Sequence, residues 1–200
     1  MLRHVIDAGF TGPIPAVSPA ASELQGVLCH ADVRQVPGPV DVALVVVPAS
    51  AVLDAVQSCG QAGVRGLIVM SEGFAEIGEE GLGRQRELVR VARANGMRLL
   101  GPNSMGLLNT DPQVRLNASL AQALPPVGGL GLFSQSGALG VAALASAARR
   151  GLGVSRFVSA GNRADVSVHD CMPYWEAAPG HAVVRLYLES LGNARKFPPI

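Results

Sequence analysis

Phe133-Ser-Gln-Ser-Gly-Ala-Leu-Gly140 sets two hydroxyls, an amide and two glycines between an apolar run of strand length and a long Ala-rich stretch. If that stretch is a helix, its first N–H groups, its dipole and the hydroxyls make a neutral but polarised site for an anion. No Lys follows the glycines, so the segment is not the lysine-bearing phosphate loop. Leu132 stands where a nucleophile elbow needs its first Gly. An ordinary Ser N-cap has the same spacing, and spacing alone leaves both readings open.

Val46-Val-Pro-Ala49, Met70-Ser-Glu-Gly-Phe-Ala-Glu76 and Gly101-Pro-Asn-Ser-Met-Gly106 each follow an apolar run of strand length. Ligands of open α/β sheets sit beyond the carboxyl ends of the strands, so these loops would face one crevice. Singly each reads as a turn, but three on one edge favour a ligand site. Glu189 ends the last apolar run in the same way. Its carboxylate suits a cation or an imidazole, and equally a solvated strand end or a helix cap.

His4, His30, His169 and His181 have no metal-ligand spacing, and no metal site is expected. His181 follows Pro179-Gly180 and reads as a turn residue. Asp165 and Asp170 are expected as cap and first-turn residues of a helix. Cys29, Cys59 and Cys171 are odd in number, which points to a reduced, cytoplasmic setting. Cys59, in a helical stretch, reads as buried rather than reactive.

The elements that must position these residues alternate along the chain. Strands are predicted over Val40–Val47, Gly66–Met70, Met97–Leu100, Leu130–Phe133, Gly153–Val158 and Ala182–Leu188. Most are apolar at successive positions, as in strands covered on both faces of a parallel sheet. Helices are predicted over Ser50–Ala62, Gly81–Asn95, Gly137–Gly151 and Val166–Ala177, with a helical opening at Leu2–Ala8 and a weak strand near Pro13–Val17. The class is therefore α/β. The Pro/Gly cluster Ala123–Gly129 divides it into two units, residues 1–122 and 123–200. The chain opens on a helix where a doubly wound domain opens on a strand and Gly-rich turn. The prolines of Lys196–Ile200 interrupt what should be a helix. Both ends lead us to expect a fragment whose first, central strand is missing.

Composition narrows the function. Hydrophobic residues make up 48% and charged residues 16% of the 200 residues, enough for a sizeable core and too apolar for general disorder. The net charge is +1 with no basic block, and aromatics are 4%, so nucleic-acid and membrane-surface roles are not expected. The longest apolar run, Val40–Ala49, is well short of the ~20 residues of a membrane span. A nicotinamide dehydrogenase would need G-x-G-x-x-G after a first strand, with an acidic residue ~20 positions on; neither is present.

Five segments, Val69-Met-Ser-Glu-Gly-Phe-Ala-Glu76, Leu100-Gly-Pro-Asn-Ser-Met-Gly106, Phe133-Ser-Gln-Ser-Gly-Ala-Leu139, Ser159-Ala-Gly-Asn-Arg-Ala-Asp165 and Tyr187-Leu-Glu-Ser190, carry a resemblance over about Phe10 to Phe197. The chain resembles the NDP-forming acyl-CoA synthetases, relatives of the succinyl-CoA synthetase α subunit that in bacteria are sometimes fused to a GNAT acetyltransferase. The resemblance implies a Rossmann-like CoA-binding domain, its first strand missing, followed by a partial flavodoxin-like parallel α/β domain. It implies that Val47, Pro48 and Ala49, with Met70, Ser71 and Glu72, line the CoA groove. It implies that Ser134, Gln135, Ser136 and Gly137 cradle the phosphate of a phosphohistidine, with Asn103 nearby and Glu189 as the carboxylate partner of that histidine.

The implied reaction interconverts acyl-CoA, phosphate and NDP with free acid, CoA and NTP through an acyl phosphate and the phosphohistidine. CoA is then the ligand of this chain. NTP and Mg would come only through an ATP-grasp (β-type) subunit or domain, and a homo-oligomer is left open. The family's phosphorylated histidine falls beyond Ile200, and small apolar residues at Ser18-Pro-Ala-Ala21 replace an expected basic one. The expectation is thus the CoA-binding portion of such an enzyme, inactive alone. A non-catalytic CoA-binding or regulatory module, and a truncated remnant without function, are the alternatives.

Overall fold

The computed structural model describes residues 1–178 and 180–192. The predicted interruption at Lys196–Ile200 lies outside the described residues. In chain order the elements are α1 (Leu2–Ala8), β1 (Ala16–Val17), β2 (Glu23–Leu24), β3 (Val27–His30), β4 (Val42–Val45), α2 (Ala49–Gln61), β5 (Gly66–Val69), α3 (Glu79–Ala94), β6 (Arg98–Leu100), β7 (Gly106–Asn109) and β8 (Leu116–Ser119). There follow β9 (Val127–Ser134), α4 (Gly137–Arg149), β10 (Val154–Ser159), α5 (Val168–Ala177) and β11 (Val183–Tyr187).

Among the described residues these strands form three sheets, ordered β1-β3-β2, β4-β5-β6 and β11-β9-β10-β7-β8. The β4-β5-β6 ladder is wholly parallel, Val45 standing opposite Val69 and Ile68 opposite Leu100. On one face, Val52, Val56 and Cys59 of α2 and Leu88, Val91 and Ala92 of α3 pack with Val45, Leu67, Val69, Phe74 and Leu99 into a closed core. On the other face Ile68 and Leu100 meet Ala118, Leu107 and Leu116 of the β7–β8 hairpin. Each Val, Leu, Ile or Phe side chain among them that is fully buried contributes about 1.5–3 kcal/mol. Cover on both faces explains why Leu67-Ile-Val69 is apolar at every position. Burial pushes the Cys59 thiol up to about 11, with the charge of Asp32 adding, so it is a core residue as expected.

Among the described residues, two of the strands expected to be buried on both faces are sheet edges. Val42 of β4 is half exposed. In β11, Val183, Arg185 and Tyr187 alternate with the more buried Val184 and Leu186. An edge strand has one neighbour and sheds less water, so its apolar run does not guarantee cover.

The hairpin β7–β8 was not foreseen from the sequence, nor were β2 and β3. β7 pairs antiparallel with β10, placing Leu108 opposite Phe157, so strands from both sides of Ala123–Gly129 share one sheet. β9 pairs in parallel with β10 and β11, and its two flanking helices close separate apolar clusters. Leu144 and Ala147 of α4 pack on Leu132 and Phe157. Val168 and Trp175 of α5 pack on Phe133 and Ala160. α1 docks on β8, where the His4 ring bonds to Ser119 O at 2.9 Å.

The helix predicted to begin at Val166 begins two residues later. Ser167 is its N-cap and Asp170 closes a capping box, as expected for Asp170. Asp165 is not a cap. Its side chain is 1% exposed, pairs with Arg93 and with Arg98 Nε at 3.0 Å, and accepts from Leu99 N–H at 2.9 Å. It ties α3 and β6 to the loop that follows β10, a role that sequence spacing cannot reveal.

Candidate functional site

The carboxyl ends of β4, β5 and β6 carry the three loops singled out above, and each loop is bonded to the next. Ser71 Oγ donates to Val47 O at 2.6 Å, and Asn103 N–H donates to Ser71 O at 2.9 Å. Ala49 lies beside Gly73, 3.0 Å from where a Cβ on that glycine would stand. Pro48 is the N-cap of α2, and it and Glu72 are exposed on the rim. Val47 and Ala49 pack against the α2–α3 core, and Met70 packs against the cluster shared with the hairpin. Of the six residues expected in the groove, these three therefore direct side-chain surface into apolar clusters.

Asn103 occupies the left-handed region at φ 56, which an Asn tolerates better than most residues. Its Nδ2 donates to Asn162 Oδ1 at 3.3 Å. Asn162 belongs to the loop after β10, and its Nδ2 donates in turn to Glu76 and, at 2.9 Å, to Gln85 Oε1. Glu76 Oε1 accepts from Gly73 and Phe74 N–H at 2.5 and 3.0 Å. Burial pulls the Glu76 carboxyl up, but these donors outweigh it and hold the group below the usual carboxylate range.

Gly161 makes the approach of the two loops feasible. It sits at φ +55, and a Cβ there would stand 2.3 Å from both Pro102 O and Asn103 O. No side chain fits that gap.

At the carboxyl end of β9, Ser134 Oγ donates to Ser136 O at 2.5 Å, and Ser136 Oγ accepts from Leu139 N–H at 3.4 Å as the N-cap of α4. Gly140 N–H goes to Ser136 O. Among the described residues this leaves the N–H groups of Gly137 and Ala138 with no protein acceptor, directed outward from the positive end of the helix. Ser134 is 4% exposed and its hydroxyl is already engaged by Ser136 O, so the groups left open at this helix start are backbone N–H, not both hydroxyls. A Cβ on Gly137 would lie 2.3 Å from Met105 Cγ, so the helix start is pressed against the loop that carries Asn103.

Gln135 N–H donates to Tyr187 O at 3.0 Å and its Oε1 accepts from Glu189 N–H at 3.1 Å. Glu189 lies two residues beyond β11, not at its end, and is exposed. The structure thus brings Ser134–Gly137, the Asn103 turn and the Glu189 backbone to one end of the second sheet, beside the rim of the first. A groove of ≈ 390 Å³ runs from Ser134 and Tyr187 along α4 to Leu152, lined mainly by apolar side chains together with Arg150 and Arg185; the rim residues Ser71, Asn103 and Asn162 take no part in it. Among the described residues no three His, Cys, Asp or Glu side chains gather as metal ligands, and no helix is long and apolar enough to cross a membrane. His181 Nδ1 meets Ser155 Oγ at 2.7 Å at the amino end of β11, remote from this rim.

A parallel sheet with linked loops at its carboxyl ends, beside a second sheet with an open helix start, defines the architecture of α/β cofactor- and nucleotide-binding proteins. The chain belongs to the CoA-binding domain family, whose pattern matches residues 1–110; residues 127–199 match the succinyl-CoA ligase like flavodoxin domain. It is 39% identical over 188 residues to the ADP-forming acetate–CoA ligase I of Archaeoglobus fulgidus, covering 94% of this chain and 27% of that protein. It is 37% identical to the alpha subunit of the ADP-forming acetate–CoA ligase II of Pyrococcus furiosus, covering 93% of this chain and 40% of that subunit. The acetyl-coenzyme A synthetase 1 of Ca. Korarchaeum cryptofilum, solved in complex with phosphate and ADP, superposes with a TM-score of 0.92 at 38% identity, covering 98% of this chain and 42% of that one. The chain therefore corresponds to the CoA-binding region of ADP-forming acyl-CoA ligases, and spans less than half the length of these relatives.

Asn162, Glu76 and Gln85 were not among the expected site residues. The motif Ser159–Asp165 was visible in the sequence, but its partners lie 59, 77 and 86 residues away, and no local spacing encodes such contacts.

Proposed function

We propose that the chain binds CoA across the β4–β6 rim and phosphate at the start of α4, as the α-type portion of an NDP-forming acyl-CoA synthetase. The observation that carries this reading is the junction itself. The Asn103 turn is bonded to the CoA rim through Ser71 and abuts the α4 start through Met105 and Gly137. A thiol held on the rim and a phosphoryl group held at the helix start would then share one end of the molecule.

In this reading Val47, Pro48, Ala49, Met70, Ser71 and Glu72 present mainly backbone and rim surface to CoA. The Gly137 and Ala138 N–H groups take the phosphate, Asn103 lies between the two, and Glu189 faces solvent where a histidine of the same enzyme could meet it. Turnover requires that histidine and an ATP-grasp subunit or domain bringing NTP and Mg. A cytoplasmic location with reduced cysteines completes the proposal.

Calorimetric titration of the purified chain with CoA, with NADH as the comparison ligand, tests it. Micromolar CoA binding without NADH binding is the expected result. Equal or absent binding of the two would remove the CoA groove.

A further inference from the structure

The loop Gly161–Asp165 has no task in the reading above, yet it is bonded to the loops after both β5 and β6. Three of its side chains reach three different elements. Arg163 Nη1 donates to Ser190 O at 2.6 Å, beside Glu189. Asp165, buried, is bonded to Arg93, Arg98 and the Leu99 N–H. Asn162 directly precedes these two anchors, its own N–H bound to Pro102 O at 2.9 Å and the Ala164 N–H bound to Gly101 O at 3.1 Å. Its backbone has little freedom, so its carboxamide has a set position.

That carboxamide has only one consistent orientation. Nδ2 faces two acceptors, Glu76 Oε2 and Gln85 Oε1, so Oδ1 must face the Asn103 amide. Glu76 uses its other oxygen for the N–H groups of Gly73 and Phe74, and these two residues shape the turn that follows Ser71 and Glu72. One side chain therefore touches the loop of the CoA rim on one side and the residue expected beside the phosphate on the other.

We propose that Asn162 is a positioning residue of the acyl-CoA-forming site, fixing Glu76 on the CoA rim and Asn103 at the phosphate end in a single register. This rests on the CoA-groove reading. It extends that reading by naming the group that keeps the two half-sites aligned. Asn162 acts through Glu76 and Asn103. If it is lost, the turn after Ser71 keeps Arg84 on Gly73 O and Gln85 on the Ala75 N–H, but Glu76 loses its donor from the facing loop and the Asn103 amide loses its acceptor.

Exchanging donor and acceptor tests the proposal. Asn162→Asp keeps an acceptor for Asn103 but sets a carboxylate against Glu76, where like charges repel. Adding Glu76→Gln restores the bond in the opposite sense. The oxygen of the new carboxamide still accepts from Gly73 and Phe74, while its nitrogen donates to the carboxylate introduced in the facing loop. Calorimetric CoA titrations and thermal melts of the wild-type chain, both single variants and the double variant give the answer.

Asn162→Asp should weaken CoA binding by about tenfold or more while the chain still melts cooperatively, and the double variant should recover most of the loss. If the wild type binds CoA and Asn162→Asp binds it equally well, or the double variant is no better than Asn162→Asp, the positioning role is overturned and the CoA groove stands. If the wild type binds no CoA, the groove reading itself falls, and the proposal with it. Should Asn162→Asp fail to fold, Asn162→Ala alone and with Glu76→Gln replaces it. Losses in CoA affinity that do not add then support the coupling, and additive losses overturn it.

Discussion

The parallel strands β4–β6 of one sheet and β9 of the mixed sheet finish their carboxyl ends in different ways. Around β4, β5 and β6 the loops bond to one another, Ser71 to Val47 and Asn103 to Ser71, so that side chains and carbonyls knit a continuous rim. At β9 the chain passes almost at once into α4, and the Gly137 and Ala138 N–H groups are left over. The first finish suits a long ligand lying across several loops; the second suits a compact anion satisfied by backbone donors and a helix dipole. Rim geometry then depends on contacts between distant residues, whereas the helix start is nearly a local property of five residues.

The predictions test that contrast, beginning with the largest effect. Gly161→Val forces a side chain into the space occupied by Pro102 O and Asn103 O at a positive φ. It should cost about 3 kcal/mol or more and lower the melting temperature by roughly 10 °C. Gly83→Ala, in α3 with nothing within 4 Å of the added carbon, should leave the melt unchanged or raise it. Equal melts for the two variants would show that the rim does not depend on that close approach.

Asp165→Asn removes the charge that answers Arg93 and Arg98 and should cost about 2 kcal/mol. That is less than for a fully buried pair, because both arginines are half exposed. Chemical denaturation measures it, and a loss below about 0.5 kcal/mol would reduce this tie to an ordinary surface pair.

Ser136→Ala removes the α4 cap and should cost about 0.5–1 kcal/mol, at the low end because the capping bond is 3.4 Å long. Phosphate binding followed by phosphorus NMR should weaken with it while CoA binding does not. Parallel losses in both ligands would mean that the two ends are less independent than their construction implies.

The smallest effect concerns His181, whose pKa is lowered by burial and then by the neighbouring Arg156 charge. The folded chain therefore favours the neutral ring. The corresponding stability is present in full above the ordinary value of 6.5 and is lost as pH falls from there through the lowered folded value. Melts between pH 5 and 8 of the wild type and of His181→Gln should differ in slope in that window, with CoA affinity unaffected by the substitution.

The sequence was readable where the chemistry is local. The parallel strands β5 and β9, the helices α2 and α4 and the Ser136 cap follow from apolar runs, N-cap residues and glycines whose partners lie within a turn or two. β7 and β8 were missed because Gly-Leu-Leu-Asn109 and Leu-Asn-Ala-Ser119 are short, and the pairing of β7 with β10 spans 47 residues, from Asn109 to Arg156. Asp165 looked like a cap because it precedes a helix; Arg93 and Arg98 became its partners only when α3 and β6 packed beside it. Glu189 was placed at a strand end by an apolar run that continues past the last ladder bond.

The amino-acid sequence by itself determined the α/β class, the family, the loops at the strand ends and the helix start at Ser134–Gly137, because these depend on periodicity and on residues adjacent in the chain. Tertiary structure alone decided that β4 and β11 are edges, that Met70 and Val47 turn inward, and that Asn162 bridges Glu76 and Asn103. Those outcomes depend on which surfaces meet after the chain has closed, and hydrogen bonds between residues more than fifty positions apart leave no periodic trace in sequence.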